Sequence, residues 1–194
     1  MTSSINPQIF REYDIRGIVG QDLTAESVAS IGKAIGTYIK RGGGKTMIIG
    51  RDVRTSSIEF RDILSNALNS TGCDVIDIGM VPTPVTYFAL HHFKADGGVM
   101  ITGSHNPPEY NGFKISQGVH SLYGEKVQEL KRLIDANDFE IGTGNTNQRE
   151  VLGHYIEKIC SILKISRKVK VVVDGGNGCF GIVGPDLLRK LGQN

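Results

Sequence analysis

The chain has 194 residues, a formal charge of +2 from 22 Lys and Arg against 20 Asp and Glu, and 39% hydrophobic residues. This balance is ordinary for a globular protein and argues against an extended disordered chain or a basic tail that binds nucleic acid. At roughly 150 residues per domain, the length exceeds one domain and falls short of two. Glycine is in excess, with 25 residues and no collagen-like period, which favours turns, helix caps and ligand loops.

Short apolar runs predict β-strands along the chain. Each run is brief, rich in Val and Ile, and bounded by Gly or Asp. The predicted strands are residues 46–50, 74–79, 97–101, 112–116 and 169–173.

Amphipathic segments between these runs predict helices. Thr24 is expected to cap the first helix, which Gly42 ends. The second is expected to begin with a capping box formed by Ser56 and Glu59, and the third with Thr83 as its cap and Pro84 in its first turn. Two further helices are predicted near residues 127–134 and 152–163.

This alternation predicts an α/β fold with a mixed, largely parallel sheet and helices on both faces. The polar stretch at residues 138–150 shows no periodicity and is the best candidate for a boundary. We therefore expect a first domain at 1–140, a linker at 141–150 and an incomplete start of a second, similar domain at 151–194. That last unit has one convincing strand, and one strand cannot form a sheet of its own.

The N-terminus shows no apolar leader, and no later segment approaches the roughly 18 apolar residues that span a bilayer. The three cysteines show neither C-x-x-C nor metal-ligand spacing, which argues against a disulfide framework. The aromatic residues do not alternate with basic ones as they do where bases stack. We expect a cytoplasmic protein with no membrane or nucleic-acid partner.

The segment GGVMITGSHNPPEYNGFKI, residues 97–115, has the most informative chemistry. An apolar strand leads into a loop that presents Ser104 between Gly103 and His105, and open α/β sheets bind ligands at such strand ends. Glycine allows unusual dihedral angles and close approach of a substrate, while Pro107 and Pro108 restrict the loop.

A serine hydroxyl is a weak nucleophile, so it needs a neighbouring base or a polarised electrophile. His105 and Lys114 can supply proton transfer and positive charge, an arrangement that suits a phosphorylated or phosphoryl-accepting Ser104. Residue chemistry alone leaves open a second interpretation, in which the segment is a polar loop without catalytic function.

The resemblance to a known family favours the catalytic interpretation. TGSHNPPEYNGFK resembles the phosphoserine loop of the α-D-phosphohexomutases, and the chain carries further segments similar to that family in the same order. These are FREYDIRG (10–17), GRDVRTSS (50–57), GMVPTPV (79–85) and DGGNG (174–178). Within the family, the motifs resemble the bacterial phosphomannomutase/phosphoglucomutase branch.

The resemblance implies that phospho-Ser104 donates its phosphoryl group to a hexose phosphate, which gives a hexose 1,6-bisphosphate that reorients and returns the other phosphate. His105 and Lys114 would be acid/base or electrostatic groups. Tyr13 and Arg16 would border the phosphate, and Asn106 would fix the loop by hydrogen bonds. Arg16→Ala is then expected to weaken transfer with a nearly unchanged melting temperature.

The resemblance also implies Mg²⁺, with one ligand from the phosphate on Ser104. The family's Asp-rich metal loop, sugar-selecting loop and C-terminal phosphate loop have no counterpart in these 194 residues. We therefore expect an N-terminal portion of a mutase of hexose 1- and 6-phosphates, inactive alone and completed by C-terminal domains.

Two alternatives stay open at this point. Gly176, Gly178 and Gly181 form a G-x-G-x-x-G pattern after the predicted strand 169–173, which is formally a dinucleotide fingerprint. The chain is also compatible with a folded remnant that binds sugar phosphate without turnover.

Overall fold

The computed structural model describes residues 5–193, and its centre is a seven-stranded sheet. The strands are β1 (Ile15–Ile18), β2 (Thr46–Arg51), β3 (Asp74–Met80), β4 (Gly97–Ile101), β5 (Tyr110–Gln117), β6 (His120–Ser121) and β7 (Thr146–Gln148). The helices are α1 (Ala25–Arg41), α2 (Ser56–Asn69), α3 (Thr83–His92), α4 (Glu125–Asp135), α5 (Leu152–Ile162) and α6 (Gly184–Lys190).

The sheet is mixed, as predicted. Its order is β1-β5-β4-β2-β3-β7, with β6 paired to β5. Strand β2 runs parallel to β3 and β4, and β3 runs parallel to β7. Strand β5 is antiparallel to β1, β4 and β6. The carboxyl ends of the parallel strands β2, β3 and β4 therefore meet at one edge, where ligands bind in open α/β sheets.

Helices cover both faces of the sheet, which confirms the predicted layers. On one face, α1, α2 and α4 pack on the strands through fully buried side chains such as Ile35, Leu64 and Leu130. On the other, α3 and the residue before α5 enclose a smaller cluster that includes Val85 and Val151. Each such side chain stabilises the fold by roughly 1.5–3 kcal/mol.

One of the three predicted helix caps is confirmed. Thr24 Oγ1 accepts the Ser27 amide at 3.3 Å, and Ser27 Oγ accepts the Thr24 amide at 2.9 Å. The capping box at Ser56 is wrong, because Ser56 Oγ instead accepts a hydrogen bond from Asn111 Nδ2 at 2.8 Å. Thr83 is the first helical residue of α3 rather than its cap, and it follows Pro82.

The predicted strand at 169–173 is wrong. Among residues 5–193 this apolar run pairs with no strand, and Val172 is 93% exposed. A β-strand exists only with a hydrogen-bonded neighbour, and the described chain places none beside the run. Strands β1, β6 and β7 lacked an apolar signal and were not predicted.

The division into domains at 1–140 and 151–194 with a linker at 141–150 stays a prediction. Strand β7 lies inside that linker and extends the sheet beside β3. Downstream of it, α5 packs against α3 through Tyr155, whose ring meets that of Phe88 edge-on at 5.5 Å between centroids. None of the helices between residues 5 and 193 is long and apolar enough to cross a membrane.

Candidate active site

Ser104 lies in the loop that leaves the carboxyl end of β4. The Thr102 amide still donates to the carbonyl of Gly112 on β5 at 2.9 Å. The Ser104 amide then donates to Thr102 Oγ1 at 2.9 Å. Its side chain is exposed, so the hydroxyl is available to a ligand.

Ser104 has an unusual backbone conformation. Its φ is +54°, and within residues 5–193 only Lys94 and Asn137 are other non-glycine residues with positive φ. Those two lie two residues beyond the last residues of α3 and α4, where a left-handed residue commonly terminates a helix. Ser104 terminates no helix, so its strain, of order 1–2 kcal/mol, points to a functional constraint.

The His105 side chain contacts the Ser104 hydroxyl. Its Nδ1 lies 3.2 Å from Ser104 Oγ, a distance at which either group can donate, depending on the tautomer of the imidazole. This contact brings together the two residues that the sequence proposed as carrier and acid/base, within the range expected for proton transfer.

Arg16 and Asn106 are also brought together. Arg16 Nη1 donates to Asn106 Oδ1 at 2.6 Å, which joins β1 to the Ser104 loop. Arg16 Nη2 forms an ion pair with Asp14, and Lys114 Nζ lies 3.5 Å from the same carboxylate. Asp14 therefore links two predicted site cations, a connection that the sequence did not indicate although Asp14 lies inside the FREYDIRG motif.

Lys114 and Tyr13 are not placed against Ser104. They line a separate cleft of about 190 Å³ together with Tyr87 and Tyr123. The Tyr13 side chain is 71% exposed. Neither side chain contacts Ser104 within the described structure, so their functions at the phosphate stay predictions.

A cleft lies directly beside Ser104. It has a volume of about 660 Å³ and is lined by the ends of β2 and β4, the start of α3 and the turn that contains Asn177 and Cys179. The DGGNG segment thus approaches the phosphoserine loop across this cleft. The sequence had assigned DGGNG only to the start of a second domain.

Cys179 is a second nucleophilic side chain in that cleft. Burial raises the pKa of its thiol, and the negative charge of Asp52 raises it further. Since the thiolate is the reactive form, Cys179 is protonated at neutral pH and does not compete with Ser104 as nucleophile.

Arg54 is the main site residue that the sequence missed. Its guanidinium donates to backbone carbonyls of the Ser104 loop, at 2.6 Å to Asn106 and 2.7 Å to Pro107. It lies within GRDVRTSS, so the resemblance had marked the segment without assigning this side chain. Asp52 of the same segment holds the turn after β2, since its Oδ1 accepts the Arg54 amide at 3.0 Å.

Gly103 is required for packing rather than for its dihedral angles. A Cβ there would lie 2.5 Å from Arg54 Cζ and 2.8 Å from the Tyr110 carbonyl oxygen. The close approach seen at Gly103 is that of the Arg54 guanidinium, and the left-handed conformation belongs to Ser104.

Gly103→Ala is expected to lower the free energy of unfolding of the chain by about 1–3 kcal/mol, the usual cost of overpacking. Urea unfolding measures it. Gly181→Ala is the matched control, because nothing lies within 4 Å of the added Cβ. Equal free energies of unfolding for the two variants would show that the Arg54 side chain moves to accommodate the methyl group without loss of stability.

The described residues do not by themselves fit Mg²⁺, which prefers octahedral oxygen ligands including carboxylates. No group of three or more His, Cys, Asp or Glu within residues 5–193 could hold an ion. Asp52, the carboxylate beside Ser104, already accepts from Ser57 Oγ at 2.7 Å and pairs with Arg54. Ser104 would be one oxygen ligand through its phosphate.

The dinucleotide interpretation is not favoured. The fingerprint needs a strand that leads into a helix, with the pyrophosphate at the helix N-terminus. Among residues 5–193 no strand leads directly into Gly176, since the element before it is α5, and a short 3-10 helix at Cys179–Ile182 follows it.

Comparison with known proteins was made for sequence and structure. A family model described as phosphoglucomutase/phosphomannomutase, alpha/beta/alpha domain I, matches residues 7–141. A Pseudomonas aeruginosa protein named phosphomannomutase/phosphoglucomutase is 45% identical over 184 residues, which are 95% of this chain and 40% of that protein. A Neisseria meningitidis serogroup B phosphoglucomutase is 39% identical over 98% of this chain and 42% of its own length.

The structural comparison agrees. The crystal structure of a phosphoglucomutase/phosphomannomutase family protein from Burkholderia thailandensis matches with a TM-score of 0.94 and 40% identity, covering 98% of this chain and 43% of that one. The chain thus spans about 40% of the length of the relatives it matches.

Proposed function

We propose a function from one premise: this chain belongs to the phosphoglucomutase/phosphomannomutase family, whose domain I covers residues 7–141. The gene product that contains this chain interconverts hexose 1-phosphate and hexose 6-phosphate. Ser104 is its phosphoryl carrier, and a hexose 1,6-bisphosphate is its intermediate.

One observation carries this proposal. Ser104 is exposed, held at φ +54° without terminating a helix, and opens onto the cleft of about 660 Å³ at the carboxyl ends of the parallel strands. Strain of this kind is retained where a loop must present one group in one position.

The proposed transfer moves one phosphoryl group between two oxygens. The bond from phosphorus to Ser104 Oγ breaks, and a bond from phosphorus to a sugar hydroxyl forms. The hydroxyl loses its proton to a base, and Ser104 Oγ regains one from an acid. His105, with Nδ1 at 3.2 Å from Oγ, is the group within reach of that proton.

The other predicted site residues supply charge and position. Arg16, whose guanidinium pairs with Asp14 and donates to Asn106 of the Ser104 loop, would supply positive charge to the phosphoryl group. Asn106 holds Arg16 to the loop. Lys114 and Tyr13 line the neighbouring cleft, where they would meet the sugar or its second phosphate.

Mg²⁺, when bound in family members, supplies neutralisation of charge on the moving phosphoryl group. Its further ligands would come from outside residues 5–193, as would the groups that select the sugar. We therefore expect residues 1–194, assayed alone, to lack mutase turnover.

Radiolabelled hexose 1,6-bisphosphate tests the proposal. The gene product is expected to take up about one phosphate per chain, mapped by peptide mass spectrometry to Ser104, because the reverse of the proposed transfer phosphorylates that oxygen. Ser161→Ala, which removes an exposed serine of α5, should label normally.

Three outcomes are informative. Label on Ser104 with mutase turnover supports the proposal. Binding of hexose phosphate without label supports the non-catalytic remnant, and label on another residue removes Ser104 as carrier.

A further inference from the structure

Arg54 makes an unusually complete set of contacts with the phosphoserine loop. Nη2 donates to the carbonyls of Ser104 at 3.2 Å and Asn106 at 2.6 Å. Nη1 donates to those of Pro107 at 2.7 Å and Tyr110 at 2.9 Å. The side chain is 13% exposed, so these bonds are largely shielded from water.

The remaining donor of Arg54 is fixed by its own turn. Nε donates to Asp52 Oδ2 at 3.2 Å, and Asp52 Oδ1 accepts both the Arg54 amide and Ser57 Oγ. Contacts at the start of α2 therefore fix the direction of the guanidinium independently of the phosphoserine loop.

All five N–H donors of a guanidinium are thus used by Arg54. It has no donor left for a phosphate. Arg54 therefore acts on the reaction through the loop and not through contact with the substrate.

The contacts have an electrostatic consequence. A carbonyl oxygen that faced the cleft would repel a phosphoryl group on Ser104. Arg54 draws the carbonyls of residues 104, 106, 107 and 110 to one side of the loop, and its own charge is balanced by Asp52. The phosphoryl position is left free of these dipoles.

We propose that Arg54 is the positioning residue of this site: it fixes the backbone of residues 103–110, and hence the strained conformation in which Ser104 carries phosphate. This inference rests on the proposed function for its effect on rate. Its effect on the loop stands independently.

Arg54→Lys separates geometry from charge. Lysine keeps the positive charge beside Asp52 but presents three donors on one atom, which cannot reach four carbonyls in a planar fork. Arg61→Lys is the matched control, because Arg61 is also partly buried, at 23% exposure, and pairs with Asp77 at 2.7 Å without touching the loop.

The first readout is kinetic and uses the gene product with labelled hexose 1,6-bisphosphate. Arg54→Lys is expected to lower the rate of Ser104 labelling and kcat by about 100-fold, the size of effect that a 1 Å misplacement produces. KM should change little, because Arg54 does not contact the substrate. Arg61→Lys should resemble the wild type in both constants.

The second readout is amide hydrogen exchange, which needs no activity. The amides of Ser104, Asn106 and Tyr110 donate within the loop at 2.9, 3.0 and 3.1 Å. In Arg54→Lys we expect each to exchange at least about tenfold faster, since local opening becomes easier. The amides of residues 97–101 in β4 should keep their protection.

Protected loop amides together with unchanged labelling in Arg54→Lys would overturn the inference, as would a loss confined to KM. If the wild type takes no label on Ser104, the proposed function fails, and the exchange experiment still decides whether Arg54 fixes the loop. If Arg54→Lys does not fold, Arg54→Gln is measured in its place, with the same outcomes required.

Discussion

Ser104→Ala is expected to lower the mutase kcat of the gene product by at least about 10⁴-fold, because loss of the nucleophile in a covalent mechanism removes the intermediate itself. Labelling by hexose 1,6-bisphosphate should be lost with it. The hydroxyl makes one exposed contact, to His105. The free energy of unfolding should therefore change by less than about 0.5 kcal/mol, as for other surface substitutions.

Ser104→Gly is the informative companion. Glycine relieves the positive φ, worth about 1–2 kcal/mol, but loses about 0.5–1 kcal/mol through unfolded-state entropy. The variant should be as inactive as Ser104→Ala and slightly more stable than the wild type. Coupled-assay kinetics and urea unfolding measure the two effects.

Residual turnover above one per cent in Ser104→Ala would exclude Ser104 as the carrier. A less stable Ser104→Gly would show that the conformation at φ +54° is not strained. The two results are independent, since one concerns the oxygen and the other the backbone.

The central strands could be predicted because their signal is local. Strands β2 and β4 are short runs of Val, Ile and Met between glycines and polar residues, and they are almost fully buried. The same signal failed at 169–173, because pairing depends on a neighbour distant in sequence. Strand β7 was missed for the opposite reason: it forms although its exposed polar residues carry no apolar pattern.

The site residues also fall into those that a local motif reveals and those that only distant contacts bring together. Ser104 and His105 could be found because they are adjacent and lie in one motif. Arg54 meets the loop about 50 residues away, and Asp14 meets Lys114 100 residues away. No spacing rule predicts such contacts, and the misplaced cap at Ser56 was likewise caused by a distant partner, Asn111.

Arg16→Ala is expected to lower the rate of Ser104 labelling and kcat by about 10²–10³-fold, the usual cost of removing one donor aimed at a developing charge. The structure also changes the expectation for stability. Resemblance alone predicted an unchanged melting temperature, yet the Arg16 side chain is only 12% exposed and pairs with Asp14, which is 11% exposed. Without Arg16, the Asp14 carboxylate keeps only the longer contact to Lys114 Nζ at 3.5 Å, and we expect a loss of about 1–3 kcal/mol.

A stability loss alone therefore no longer separates a catalytic from a structural Arg16. Arg16→Lys does, because lysine restores a cation beside Asp14 but carries its donors on one nitrogen, which cannot reproduce the planar fork by which Arg16 spans Asp14 and Asn106. It should recover most of the stability lost in Arg16→Ala while its labelling rate stays at least about tenfold low. Arg41→Ala is the control, since that arginine is 43% exposed and pairs with Asp138 and Glu140 at the surface, where such pairs contribute little.

Recovery of both stability and labelling in Arg16→Lys would mean that Arg16 only neutralises Asp14. Recovery of stability without recovery of labelling would mean that phosphoryl transfer needs the guanidinium of Arg16 and not only its charge. The labelling rate would then depend on the planar guanidinium, which donates to Asn106 of the Ser104 loop at 2.6 Å, and not only on the charge that it places beside Asp14.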